Sequence, residues 1–304
     1  MIRSAVIILN PAGGRGRAGR RRAEVERLLA SYVSSHRDSD DLSWEIVETR
    51  SSGEATEIAS RAAKRGTTIV AAAGGDGTLS EVLNGVIGSN ACLALLPLGT
   101  GNDFARSVGL HDNLPRAVFT LFQGQPRSID VGVAAGRHFL NVSGCGFDAV
   151  VADRANHGPK WLSGAVAYLW AVLGELARYR AAEFTLEVDG KVRTLRAMMC
   201  SVANAQTYGG GMRIAPDAQL DDGLFDLCLL SETSKIEFIL AFPRVFRGTH
   251  TTHPKIEMLR ASKVRIETTP PLPLLVDGEI CGTTPVEFTI LPRAIQFLFP
   301  ATRS

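Results

Sequence analysis

Cysteine is scarce in this sequence, and the few present build no framework. The five, Cys92, Cys145, Cys200, Cys228 and Cys281, contain no CxxC pair, and each sits among apolar or strand-like neighbours. An odd count of that kind points to free, packed thiols in a reducing compartment. Metal-spaced histidines are missing as well. Of the six, only His250 and His253 lie close, and they have no third ligand nearby, which removes the case for a histidine metal centre. No GxSxG elbow occurs, so a serine-hydrolase nucleophile has no place to sit. The longest apolar run, Leu162 to Ala177, is interrupted by Gly164, Gly174 and Glu175 and falls short of the roughly 20 residues that span a bilayer. Charge of either sign is not in excess: the net value of +2 gives no case for nucleic acid. Repeats and low-complexity linkers are absent. Met1 to Asn10 reads as a first strand and not as a targeting segment, and the expected location is cytoplasmic.

What is present is enough apolar sequence, 45% with 21% charged, for a folded protein, and enough length for two domains. The first part alternates strand and helix. Ala5 to Leu9, Trp44 to Thr49, Thr68 to Ala73 and Cys92 to Leu96 read as strands. Arg20 to Tyr32, Gly53 to Arg65, Leu79 to Val86 and Asn102 to Val108 read as helices. That alternation implies a parallel sheet with helices on both faces. Near Ser128 the pattern changes. Short strands follow at Ile129 to Ala134, Phe139 to Ser143, Phe184 to Asp189, Arg196 to Ala203, Phe225 to Leu230, Val264 to Thr268, Leu274 to Val276, Glu287 to Ile290 and Ile295 to Phe299. Asp189-Gly190, Asp222-Gly223 and Asp277-Gly278 supply hairpin turns. Helical stretches at Leu162 to Arg180 and Ile236 to Arg247 interrupt them. The expected fold is a Rossmann-like doubly wound α/β domain, residues 1–127, followed by a mostly antiparallel β-sandwich domain, residues 128–304. The last strand is free to return to the first domain.

Three glycine clusters carry the chemistry. The first, Asn10-Pro11-Ala12-Gly13-Gly14 running into Gly16 and Gly19, contains a literal GxGxxG at Gly14 to Gly19. A dinucleotide site needs the first glycine tight against the strand end, and Asn10-Pro11-Ala12 intervenes. Nor does Lys-Ser/Thr follow, as a P-loop requires. A phosphate cradle of another kind and a bare Arg-rich turn both remain open. The second is Gly74-Gly75-Asp76-Gly77-Thr78, between a buried strand and a helix, where glycine backbone and a helix N-terminus suit phosphate and Asp76 suits a hard cation. A capped tight turn is the plainer alternative, but it does not need three glycines. The third, Gly99-Thr100-Gly101-Asn102-Asp103-Phe104, repeats the design at the next strand end. Two such loops at neighbouring strand ends converge on one crevice.

Together these segments resemble the diacylglycerol kinase catalytic domain, in a superfamily that also holds sphingosine kinases, bacterial YegS-like lipid kinases and the more distant NAD kinases. The resemblance continues through Gly146-Phe147-Asp148-Ala149, Gly209-Gly210-Gly211-Met212, Ala215 to Gly223 and Val276-Asp277-Gly278-Glu279, in order along the whole chain. It implies ATP bound between the two domains. Asn10, Pro11, Ala12, Gly13, Gly14, Thr49, Gly74, Gly75, Asp76, Gly77, Thr78, Leu79, Ser80, Glu81, Thr100 and Asn102 match the nucleotide contacts by position. Asp76, Asp103 and Asp130 resemble the carboxylates around a catalytic Mg²⁺. Asp222 resembles the side-chain ligand of a second, structural Mg²⁺, completed by the carbonyls of Gln219 and Leu224. By spacing alone, Val276 to Glu279 is a solvated hairpin turn. The resemblance places there the group that accepts the substrate hydroxyl proton, Glu279 with Asp277 as its rival.

The expected reaction is phosphoryl transfer from ATP to a lipid alcohol, diacylglycerol or sphingoid in type. An NAD kinase-like enzyme with a soluble substrate and a non-catalytic nucleotide- or lipid-binding relative are the alternatives. No cysteine-rich lipid-binding module is present, as in a compact bacterial member. Trp161, Tyr168, Leu169, Trp170 and Leu173 read as core, or alternatively as a lipid-facing helix with Lys160 and Arg178 near its ends. Arg15, Arg17, Arg20, Arg21 and Arg22 read as a solvated face able to meet phosphate or anionic headgroups. Peripheral contact with the inner membrane face and a homodimer are further expectations.

Overall fold

The computed structural model describes residues 3–35, 42–157, 170 and 172–301. They gather into two units, Met1–Ile129 with Arg293–Ser304, and Asp130–Pro292.

The first unit is a parallel α/β layer. Strands β1 (Arg3–Leu9), β2 (Leu42–Glu48), β3 (Ile69–Gly74) and β4 (Cys92–Pro97) lie in the order β4-β3-β1-β2. The registers Leu9↔Ala73 and Gly74↔Pro97 bring the three inner strands to an end at nearly one level. Every residue of β3 is buried, which is why it reads as an unbroken apolar run and not as an alternation. The helices are α1 (Gly13–Arg20), α2 (Arg22–Ser35), α3 (Glu54–Lys64), α4 (Asp76–Val86), α5 (Asp103–Ser107) and α6 (Leu114–Gln123). From β1 the chain goes first to β2 on one side and then to β3 on the other. The order therefore reverses beside β1, the switch point at which open parallel sheets bind ligands.

The second unit is antiparallel. It contains the end of β5 (Gln125–Ala134), β6 (Arg137–Phe139), β7 (Val142–Gly146), β8 (Ala182–Val188), β9 (Lys191–Ala203), β10 (Phe225–Ser231), β11 (Ile256–Ala261), β12 (Lys263–Thr269), β13 (Pro273–Val276), β14 (Glu279–Thr283) and the start of β15 (Val286–Phe299). Helices α7 (Phe147–His157) and α8 (Lys235–Ala241) and a 3-10 turn at Phe242–Arg247 complete it. Strand alternation builds two cores. Phe225, Leu227 and Leu229 of β10 face a sandwich core with Phe184, Val264, Ile266 and Phe288. Cys228 and Leu230 of the same strand face a second core with Phe147, Met199, Phe238 and Val245, as a period of two requires. The far end of β15 belongs to the first unit, where Phe297 pairs in parallel with Leu93.

Several elements differ from the sequence reading. α6, α7, β11 and β14 were not anticipated, and Glu287 to Ile290 with Ile295 to Phe299 is one strand. Pro292 interrupts the apolar pattern, and Arg293 takes a left-handed φ of 50°, so one strand reads as two. The helix expected over Ile236 to Arg247 is a short α-helix followed by the 3-10 turn. Of the aromatic stretch, Trp161, Tyr168 and Leu169 fall outside the described residues. Residues 172–176 are helical. No helix among the described residues is long and apolar enough to cross a membrane.

Candidate active site

The three glycine clusters leave the ends of β1, β3 and β4 and close on one another backbone to backbone. A Cβ on Gly13 would stand 3.8 Å from the Gly74 Cα, one on Gly14 3.0 Å from the Leu98 carbonyl oxygen, and one on Gly75 3.3 Å from the Gly99 Cα. Gly14, Arg15 and Gly16 have left-handed φ of 59°, 60° and 80°, a conformation that costs glycine little. The GxGxxG stretch is thus the distorted first turn of a helix and not a bare loop. Asn10 ties the clusters together. Its backbone N–H donates to the Ala73 carbonyl at 3.1 Å, and its side-chain amide reaches the Thr78 hydroxyl at 3.2 Å. Its Oδ1 accepts from the Ala12 N–H at 3.1 Å. Thr49 is buried beside them, its N–H on the Leu9 carbonyl at 2.9 Å.

α4 opens at Asp76, and no side chain caps it. Its first N–H groups have no intrahelical acceptor and present a positive dipole end. The Asp76 carboxylate turns instead to the next loop, accepting the N–H of Asp103 at 3.1 Å and of Phe104 at 3.0 Å. Asp76 therefore holds α5 in place and keeps further lone pairs on both oxygens. Gly101 lies beneath the two carboxylates: a Cβ there would stand 3.1 Å from Asp76 Oδ2 and 3.4 Å from Asp103 Oδ2. Asn102, left-handed at φ 51°, gives its amide to the Gly99 carbonyl at 3.0 Å. Its buried Oδ1 has no partner, an acceptor left for a ligand. Thr100 is exposed at the same loop. Leu79 is fully buried, Ser80 accepts from Asn84 through its carbonyl, and Glu81 takes the Ala55 N–H at 3.2 Å. Of these three, Leu79 packs in the core, Ser80 bonds within α4, and Glu81 ties α4 to α3.

Hard oxygen donors converging on a glycine gap fit Mg²⁺, which keeps several waters and takes one or two carboxylates plus phosphate oxygens. Asp76 and Asp103 are the residues that would hold it. Asp130 belongs to another cluster. Its carboxylate accepts the Gly223 N–H at 2.7 Å, and its own N–H donates to the Leu220 carbonyl at 2.6 Å. It shapes the 219–224 loop. There Asp222 Oδ1 accepts the Leu224 N–H at 3.1 Å, and Oδ2 is paired with Arg260, whose Nε also lies 3.6 Å from Asp226. Burial raises the Asp226 pKa above its ordinary value. With a guanidinium already neutralising Asp222, this loop does not fit a structural Mg²⁺ as it stands. Among the described residues no group of three His, Cys, Asp or Glu side chains is arranged for a metal.

The turn between β13 and β14 separates the two candidate bases. Asp277, at φ 46°, accepts the N–H of Asn141 at 2.9 Å and of Leu140 at 3.0 Å, one on each oxygen. Glu279 is half exposed and makes an ion pair with Arg137 at 2.8 Å. Arg137 also donates to the Cys281 sulfur, the larger of the contacts that raise its pKa. Beside this turn, β7 pairs with β13 and runs into α7, which packs on β13 and β14. The start of α7 lines an apolar cavity of about 670 Å³, mouth included, with Met199, Cys228, Leu230, Phe238 and Phe242. Two acids, Asp148 and Glu237, lie among them. Asp148 is buried, accepts from the Ser201 hydroxyl at 3.0 Å, and is pushed up to about 6 by burial. Arg137, Arg260 and the cavity were not found from sequence. Gly146-Phe147-Asp148-Ala149 was the signal available for Asp148.

Residues 4–134 match the family model of the diacylglycerol kinase catalytic domain, and residues 141–299 match the YegS C-terminal NAD kinase beta sandwich-like domain. The chain is 32% identical over 306 residues to a diacylglycerol kinase of Bacillus subtilis (strain 168), covering 100% of this chain and 98% of that one. It is 33% identical over 254 residues to a diacylglycerol kinase of Mycobacterium tuberculosis (strain ATCC 25618 / H37Rv), covering 81% and 82%. In fold it is similar to a crystal structure of a diacylglycerol kinase from Bacillus anthracis str. Sterne, with a TM-score of 0.74, 24% identity and coverage of 98% and 96%. Glycine loops at the sheet's switch point, the antiparallel second unit and these matches along the whole length agree: the chain belongs to the diacylglycerol kinase family.

Proposed function

We propose that the protein transfers the γ-phosphoryl group of ATP to the hydroxyl of a lipid alcohol of the diacylglycerol or sphingoid type. The observation that carries the lipid part is the apolar cavity in the same unit as the Glu279 turn and adjoining it through α7. A soluble acceptor such as NAD would need polar walls. A cavity lined mostly by apolar side chains suits an acyl chain.

In this reading the ATP phosphates rest on the backbone of Gly75 to Thr78 and the dipole of α4, with Asn10 and Thr78 setting the floor. Mg²⁺, when bound at Asp76 and Asp103, supplies charge neutralisation on the phosphates. Glu279 accepts the hydroxyl proton. The alternative, Asp277, accepts one backbone N–H on each oxygen and serves in this reading as the clamp of the turn. Arg137 holds the Glu279 carboxylate in place through their ion pair. Asp130 and the Arg260-Asp222 pair hold the 219–224 loop.

The test is direct. Labelled ATP with Mg²⁺ is offered to diacylglycerol, a sphingoid base and ceramide in detergent micelles, and to NAD. Label in an organic-extractable product is expected. Label in NADP alone would replace this reading with a soluble-substrate kinase, and nucleotide binding without transfer would replace it with a non-catalytic module.

A further inference from the structure

Most large apolar side chains of the second unit are hidden, yet one face is not. α8 and the turn after it expose Ile236 at 74%, Leu240 at 73%, Ile239 and Phe246. Residues 236, 239 and 240 recur at helical spacing, so they form a stripe and not a scatter. The neighbouring segment adds Trp170 and Leu173, both exposed. The two are joined: the Lys235 ammonium donates to the Ala177 carbonyl, and Val172 and Leu176 share a core with Phe238.

The opposite face of α8 does different work. Phe238, Ala241 and Phe242 line the apolar cavity. One short helix therefore separates an apolar cavity from an apolar stripe open to water. Exposed basic residues lie next to these segments in the chain: Lys235 opens α8, Arg247 ends the turn, and Arg178 and Arg180 follow the 172–176 helix. Nearby acids are engaged elsewhere: Glu237 by Thr233 and His253, Glu175 by Arg154, Glu232 by Arg196. An apolar stripe flanked in the chain by cations is the composition that settles at an anionic lipid surface. A second copy of the chain fits less well, because a two-fold contact would bring like charges together.

We propose that the outer face of α8, with Phe246, Trp170 and Leu173, docks the protein on an anionic bilayer. A lipid substrate then passes the helix to reach the cavity without crossing water. This rests on the lipid-kinase reading for the identity of the cargo, and on the exposed face alone for the docking.

The test is flotation of the full chain with phosphatidylcholine vesicles, with and without phosphatidylglycerol. Three proteins are compared: wild type, the Ile236→Glu/Leu240→Glu double variant, and the Lys235→Glu/Arg247→Glu double variant. Thermal unfolding and phosphorylation of micelle-dissolved lipid are measured on each. Wild type is expected to float with phosphatidylglycerol vesicles. The apolar variant should lose binding about tenfold or more, and the charge variant should lose its preference for phosphatidylglycerol. Both should unfold within a few degrees of wild type and phosphorylate micellar lipid at the wild-type rate. Equal flotation of wild type and the apolar variant would overturn the proposal. So would a wild-type dimer that the apolar variant converts to monomer, which would assign the face to a second copy. Wild type that floats but phosphorylates no lipid would retain the docking surface and remove the kinase reading.

Discussion

At the edge of the first unit the candidate site is mostly backbone. Gly13 lies against Gly74, Gly14 under the Leu98 carbonyl, Gly75 on Gly99, and even Asp76 spends its carboxylate on two N–H groups. In the second unit the candidate site is side chain. Glu279 is positioned by Arg137, Asp277 clamps its turn, and Asp148 is buried in the wall of a largely apolar cavity. The difference follows the chemistry asked of each. A triphosphate is recognised by many N–H groups at fixed spacing, which glycine loops supply without side chains. A lipid hydroxyl presents one proton, and one carboxylate of suitable freedom can take it.

The hardest blow to the backbone half is Asp76→Asn. The amide keeps one of the two backbone contacts at the start of α5 and forfeits the other, and the charge facing Asp103 is lost. Phosphoryl transfer should fall about 10³-fold, while a nucleotide analogue without Mg²⁺ binds as before. Steady-state kinetics and calorimetry check the pair of outcomes.

In the side-chain half the largest effect is on stability. Burial raises Asp148 from 3.8 to about 6, so the fold prefers its protonated form. Its contribution is full below about pH 4 and is lost as pH rises through about 6. Wild type should lose up to about 3 kcal/mol relative to Asp148→Asn over that window. Denaturant titrations at a series of pH values read the difference directly. Next comes Asp277→Asn, which forfeits one backbone partner. The cost should be about 1–2 kcal/mol of stability with transfer reduced less than about tenfold, separating a turn clamp from a base. The smallest effect is at Arg260. This partly exposed pair should be worth no more than about 1 kcal/mol in Arg260→Gln. Chelator should leave the wild-type melting temperature unchanged, because the guanidinium already neutralises Asp222.

The same contrast governs what could be read from sequence. β1, β3 and β4 were legible because strands buried on both faces are continuous apolar runs, and the glycine clusters announce themselves at their ends. α6 carried a signal that was passed over: Asn113 caps it through the Arg116 N–H, with Pro115 just inside. β11 and β14 carry intermediate and exposed residues, so neither period stands out. Pairings across the chain were not legible at all. Nothing in the sequence says that Arg137 meets Glu279 or Arg260 meets Asp222, because each depends on folded register. For the same reason the sequence leaves Asp277 as a rival to Glu279.

The account stands most directly on Glu279→Gln, which keeps size and hydrogen bonding while removing the proton acceptor. It predicts loss of lipid phosphorylation by at least about 100-fold with ATP affinity unchanged. Turnover near the wild-type rate in that variant would contradict it.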